Sequence, residues 1–148
     1  VRFWDSSAIV PLLAPQSSTS AAESLLQSDT VMLVWWGTSV ECGSALARLE
    51  RERLLAPTDV VTALTRLLAL ADAWNEVLPH VRVRTTAERL LRLHPLRAAD
   101  ALQLAAALEV TDIQPALTEF VCFDQRLCDA AAREGLRVAG PQAFNLES

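Results

Sequence analysis

The sequence predicts an α/β protein: a three-layer α/β/α sandwich around a central, mostly parallel sheet of four to five strands. Three observations carry this. Short β-prone runs at 1–4, 31–35, 81–84, 120–123 and 136–139 are separated by segments of helical periodicity, an alternation that sets parallel strands side by side with helices on both faces. One helical segment, Ala98 to Val110, has only Asp100, Gln103 and Glu109 as polar residues, so most of its surface must be covered. At 148 residues the chain fits one domain over 1–148, a size that buries roughly two-thirds of the surface its unfolded form exposes.

The elements follow in order. Val1 to Trp4 is a strand ending at Asp5, and Ser6, Ser7 and the apolar run after them begin a helix limited by Pro11 or Pro15. Ser20 and Glu23 stand in capping-box register for a second short helix, before a strand over Val31 to Trp35. Gly37, Thr38 and Ser39 open a helix whose buried stripe is Cys42, Ala45, Leu46 and Leu49, with Glu41, Arg48 and Arg51 off the stripe. Glu41 and Arg48 lie about 10.5 Å apart along that axis and close to one face, so an acid and a base can share one groove.

Pro57, Thr58 and Asp59 start the longest helix, with Val60, Leu64, Leu67, Leu68, Ala71, Trp74 and Leu78 on one side and Leu70 and Val77 widening the stripe. So wide a stripe suits either the core or a second chain. Pro79 ends this helix, and the alternation of Val81 to Arg84 reads as a third strand. Thr85 and Glu88 form a capping-box signature for a short helix to Leu93, which Pro95 breaks. After the apolar helix, Phe120 to Phe123 is a fourth strand and Asp124 follows at once. A helix from Gln125 is closed by Gly135, and Leu136 to Ala139 is the last strand.

Composition excludes several chemistries. The chain has no Lys, so a phosphate-binding P-loop, a receiver domain or a haloacid-dehalogenase phosphatase lacks its phosphate-side lysine. Only His80 and His94 offer an imidazole, and neither has a Ser or Cys motif to work with, which disfavours a nucleophilic triad. Cys42, Cys122 and Cys128 have no metal-ligand spacing and read as small core residues. No apolar run is long enough to span a membrane, and Asp5 interrupts what a signal peptide would keep apolar, so a cytoplasmic protein is expected.

The net charge of -5 is unevenly spread. All 13 cations are Arg, and nine of them fall between Arg48 and Arg97, giving a basic middle between acidic flanks. That pattern suits a polyanion held beside metal-binding carboxylates, and it equally suits solvated helix faces with ordinary Glu and Arg pairs.

Asp5, Glu41, Asp100 and Asp124 each fall just after a strand or in the first turns of a helix. Right-handed crossovers bring such positions to one sheet edge. Four carboxylates there repel by up to about 4 kcal/mol per ionised pair at 4 Å and an effective dielectric near 20, a penalty that Mg²⁺ or Mn²⁺ would remove. Each acid also has a structural reading. Asp5 and Asp124 fit helix N-caps, Glu41 fits a capping-box partner for Thr38, and Asp100 fits an ion pair with Arg97.

The stretches FWDSSAIV (3–10), SVECGSAL (39–46), LRAADALQLAAAL (96–108) and FVCFDQRL (120–127) resemble, in order and spacing, the four motifs of PIN-domain nucleases, and are most similar to the VapC toxins of bacterial toxin-antitoxin systems. The resemblance implies a PIN-like fold and a metal site formed by Asp5, Glu41, Asp100 and Asp124. Asp5 and Asp100 are then the principal Mg²⁺ (or Mn²⁺) ligands, and Glu41 and Asp124 complete or orient the site. Ser7 matches a small polar residue that supports the first Asp. One departure is Cys122, where the family usually has Thr or Ser.

The activity implied is endoribonuclease hydrolysis of RNA, tRNA or rRNA, by a metal-activated water. Arg48, Arg51 and Arg97 are candidates for phosphate contacts, and pairs with Glu50, Glu52 or Asp100 are their alternative. The resemblance also implies a cognate VapB-like antitoxin and a homodimer, with no membrane. An alternative reading, motivated by Cys122 and the acidic balance, is a catalytically weak PIN-like binding or assembly module. A metal-dependent phosphatase ranks last, because Ser7 stands where such an enzyme has its second Asp.

Overall fold

A computed structural model describes residues 2–28, 31–113 and 119–140. In chain order these form β1 (Arg2–Trp4), α1 (Ser6–Leu13), α2 (Thr19–Ser28), β2 (Met32–Trp35), α3 (Thr38–Arg51), α4 (Pro57–Ala73), β3 (Asn75–Val77), α5 (Val81–Leu93), α6 (Ala98–Ile113), β4 (Glu119–Val121), α7 (Gln125–Arg133) and β5 (Arg137–Ala139). Val1, assigned to the first strand from sequence, lies outside the described residues. The five strands are all parallel, in the order β3-β2-β1-β4-β5.

Alternation along each strand builds the three layers, because successive side chains of a strand point to opposite faces. Phe3, Trp35 and Phe120 join a core with Val83 and Leu90 of α5, Leu104 of α6 and Leu127 of α7. Their neighbours Trp4, Val34 and Val121 join a second core with Ile9 and Leu13 of α1, Leu46 of α3 and Leu67 of α4. The Phe3 and Phe120 rings stack across β1 and β4 with centroids 5.8 Å apart, an arrangement that adds to their area burial. As expected, α6 is covered on most sides: Ala101 and every residue from Gln103 to Ala107 are buried.

The third strand is not where alternation placed it. Asn75–Val77 pairs with β2 in the register Leu33↔Asn75 to Trp35↔Val77, whereas Val81 to Arg84 is the first turn of α5. Four alternating residues cannot distinguish a strand from the start of a helix, and Val83, Ala87 and Leu90 complete a helical stripe that buries one face. His80 caps this helix by accepting from the Arg82 amide at 3.2 Å, so Thr85 lies inside it and the predicted capping box is not its start.

The longest helix also ends earlier than expected. Trp74 is its C-cap, with its amide on the Leu70 carbonyl at 2.9 Å. Its buried stripe is Val60, Ala63 and Leu67. Val61, Leu64 and Leu68 are 65, 41 and 68% exposed, a second apolar stripe facing away from the core. Leu78, 62% exposed, belongs to neither.

The sheet order positions the site. From β1 the chain moves outward through β2 to β3, then returns across the sheet to β4 on the other side of β1. The order therefore reverses between β1 and β4, and in open α/β sheets ligands bind beyond the carboxyl ends of strands at such a reversal. Asp5 and Asp124 follow those two ends. Among the described residues no helix is long and apolar enough to cross a membrane.

Candidate active site

Where β1 and β4 end, one serine ties the two turns together. The amide of Asp5 bonds to the Val121 carbonyl at 2.9 Å, extending the β1–β4 pairing by one residue. Asp5 then caps α1, accepting at Oδ2 from the Ser7 amide at 3.1 Å and from the Ser7 hydroxyl. The same hydroxyl accepts from the Phe123 amide at 2.9 Å. Having one hydrogen to give and lone pairs to receive, Ser7 fixes the Asp5 carboxylate against β4, the supporting role expected of it.

Cys122 takes over the work of a hydroxyl with sulfur. Its Sγ accepts from the Asp124 amide at 3.4 Å and lies 3.8 Å from Asp5 Oδ2 and 3.6 Å from Ser7 Oγ. Asp124 keeps its cap, Oδ1 accepting from the Leu127 amide at 3.1 Å. The bond with Cys128 and then burial push the Cys122 thiol above its ordinary range. A Cβ at Gly140 would stand 2.6 Å from the Cys122 carbonyl oxygen, so β5 can close on this turn only with glycine there.

Both structural readings of Asp5 and Asp124 as caps are therefore correct, and neither conflicts with a site. The reading of Glu41 is not. The N-cap of α3 is Gly37, without a side-chain bond, and Glu41 turns instead to α6. Its Oε2 accepts from Gln103 Nε2 at 2.6 Å, and the same nitrogen donates to Thr38 Oγ1 at 2.9 Å. Sequence reasoning noted Gln103 as polar but gave it no role. Its position three residues after Asp100, on the same face of an otherwise apolar helix, was the available signal.

Electrostatics join the four acids. Burial, then a bond to Gln103 that opposes it, then the charges of Asp5 and Asp100 leave Glu41 raised to about 7. Asp5, 3% exposed, is raised to about 6 by burial, against its Ser7 bonds and with a contribution from Asp100. Asp100 is itself raised, first by burial and also by Asp124, opposed by a backbone bond at Arg97 and by the charges of Arg97 and Arg126. Asp100 is thus the junction of the set. Arg126 is a second residue that sequence reasoning missed.

Among the described residues, Arg48, Arg51 and Arg97 form no ion pair with Glu50, Glu52 or Asp100. All three are exposed, as is Arg126. Cys42, next to Glu41, is pushed up to about 12 by burial and then by the charges of Glu41 and Asp5; it is an inert core thiol.

Among the described residues no three His, Cys, Asp or Glu side chains are drawn close enough to hold an ion as placed. The donor set nevertheless fits a hard divalent cation: the candidate ligands are all carboxylates, and burial disfavours the charge of Asp5, Glu41 and Asp100 without a cation to balance it. Gln103 Oε1 is a buried acceptor with no partner among the described residues.

No protein-family model matches the chain. Two relatives from Mycobacterium tuberculosis do, Ribonuclease VapC45 (strain CDC 1551 / Oshkosh) and Ribonuclease VapC49 (strain ATCC 25618 / H37Rv), each 36% identical over 144 residues and 95% of both chains. Among solved structures the fold is similar to FitAcB from Neisseria gonorrhoeae, with a TM-score of 0.66, 18% identity and coverage of 96% of this chain and 99% of that one. It is also similar to Mycobacterium tuberculosis VapC20, described as a Sarcin-Ricin loop cleaving toxin, with a TM-score of 0.65, 17% identity and coverage of 92% and 96%.

Proposed function

The chain belongs to the VapC family of ribonucleases, and from that premise we propose that it is a divalent-metal-dependent endoribonuclease, the toxin of a toxin-antitoxin pair. The observation that carries this reading is the edge at the ends of β1 and β4, where Asp5, Glu41, Asp100 and Asp124 act on one another electrostatically. Asp5 and Asp100 are the principal holders of Mg²⁺ or Mn²⁺, and Glu41 and Asp124 complete the site. When bound, the ion supplies positive charge opposite the phosphate oxygens and makes water more acidic.

The chain's own residues supply position. Ser7 and the Asp5 amide hold the first carboxylate against β4, and the Leu127 amide holds Asp124. Arg97 and Arg126, which already act on Asp100 and are exposed, are the candidates for contacts to RNA phosphates. Neither histidine is used: His80 caps α5 and His94 is bonded to Glu134.

An antitoxin and a second copy of the chain are the partners this reading implies. The exposed stripe of Val61, Leu64 and Leu68 on α4 is the surface that supports a protein contact. The alternative of a weak binding module rested partly on Cys122, and that motive is reduced by a thiol that still receives the Asp124 amide.

The test is RNA cleavage by chain purified free of antitoxin, with structured RNA and Mg²⁺ or Mn²⁺. Cleavage abolished by EDTA and by Asp5→Asn is the expected result. Folded chain that binds no divalent ion and cuts no RNA would return the module reading to first place.

A further inference from the structure

We propose that Gln103 is a positioning residue of this site, its amide clamping the Glu41 carboxylate and bridging α6 to α3. The inference rests on the nuclease reading above. Gln103 is fully buried, and a lone amide inside an apolar helix is unfavourable unless it is hydrogen-bonded. Its Nε2 has two hydrogens, and both are used: one on Glu41 Oε2 at 2.6 Å, the other on Thr38 Oγ1 at 2.9 Å. The shorter bond has the length of a charge-assisted one. A flipped amide would turn its oxygen toward a carboxylate that can only accept, so the orientation is dictated by Glu41.

The chemistry of the residue suits the task. An Arg or Lys here would hold Glu41 by neutralising it, removing charge that a cation needs. A glutamine fixes direction and leaves the charge intact. Without it, Glu41 has no side-chain hydrogen-bond donor among the described residues, and Asp5 and Asp100 would repel it toward solvent. Thr38 anchors the amide from the other side, which explains a fully buried hydroxyl in the first turn of α3.

The test compares Gln103→Met, which keeps the length of the side chain and removes both donors, with wild type and with Glu41→Ala. Calorimetric titration with Mn²⁺ and steady-state RNA cleavage are the readouts. Loss of a supporting partner of this kind lowers metal affinity or rate by about 10–100-fold, and that loss is expected in Mn²⁺ affinity and kcat, with KM for RNA little changed. In the Glu41→Ala background, Gln103→Met should change neither.

Thr38→Val loosens the clamp without altering the α6 core, and a smaller loss with the same dependence on Glu41 is expected. Equal losses with and without Glu41, or a folded Gln103→Met with wild-type Mn²⁺ affinity and kcat, would overturn the proposal. A wild-type chain that binds Mn²⁺ but cuts no RNA would defeat the nuclease reading alone, because the Mn²⁺ comparison still reports whether Gln103 acts through Glu41.

Discussion

Two sets of acids in this molecule are held in opposite ways. At the carboxyl edge of the sheet, Asp5, Glu41 and Asp100 are all raised above their ordinary range, by burial first and then by neighbouring acids: Asp100 acts on Asp5, Asp5 and Asp100 act on Glu41, and Asp124 acts on Asp100. Between α5 and the end of α7, burial also works against Glu134, yet bonds from His94 Nε2 and Arg89, each 2.9 Å, lower it below its ordinary value. Glu134 has a cationic partner in Arg89 and a second partner in the His94 ring, and staples one helix to another. At the sheet edge Arg97 and Arg126 act on Asp100 without reversing its shift, and no cation acts on Asp5 or Glu41, so folding leaves a deficit of positive charge there, at the place where the strand order reverses. The divalent ion proposed above would supply the missing charge.

The largest effect expected is on the first acid. Asp5→Asn keeps an acceptor for the Ser7 amide and removes the charge, and it should abolish RNA cleavage, exceeding the about 10–100-fold that loss of a supporting group brings. A folded Asp5→Asn with half the wild-type rate would remove Asp5 from the site.

Stability in EDTA should show both sets, with opposite signs. The folded-state value of Asp5 is raised from 3.8 to about 6, so between those values the folded state binds more protons than the unfolded one. Stability then falls as pH rises from about 4 to above 6, by roughly 3 kcal/mol for this group. Glu134 is lowered, so its contribution is present above its ordinary 4.5 and fades as pH falls below it. Denaturant unfolding in EDTA from pH 3 to 8 reads both limbs, and Asp5→Asn should make only the upper one shallower, with Glu41 and Asp100, also raised, supplying the slope that stays.

Breaking the satisfied set should leave chemistry alone. Glu134→Gln loses charge-assisted bonds to His94 and Arg89 and should lower stability by about 1–2 kcal/mol, with kcat for RNA unchanged. A fall in kcat matching that of Asp5→Asn would erase the distinction between the two regions.

The smallest effect belongs to Cys122→Ser. A hydroxyl accepts the Asp124 amide better than sulfur does, and the gain should stay within about 1 kcal/mol, read as a small rise in unfolding temperature with little change in rate. A loss of cleavage would mean that the thiol itself has a part.

The sheet-edge half of this contrast was largely legible in the sequence; the Glu134 half was not. Asp5 and Asp124 could be placed because a strand ending in an acid followed by a helix has one local solution, and the parallel order brings such ends together. The supporting role of Ser7 came from the resemblance to the family's first motif. What escaped was set by tertiary contact. Glu41 and Thr38 look like a capping box in sequence, and only the approach of α6 offers them Gln103 instead. VRVR alternates like a strand, yet the stripe that decides its fate runs on through Ala87 and Leu90. Leu64 and Leu68 were grouped with Val60 and Leu67 on one apolar side suited to the core or to a second chain, and periodicity cannot say which part of so wide a stripe meets the core. His94 and Glu134 lie 40 residues apart, beyond any local pattern.

The account turns on the missing positive charge, and thermal unfolding at pH 7.5 tests it most directly. Wild type and Asp5→Asn, each stripped with EDTA, are compared with and without added Mn²⁺. The account predicts that Mn²⁺ raises the Tm of wild type and leaves Asp5→Asn where it was. An equal rise in both proteins, or none in either, would contradict it.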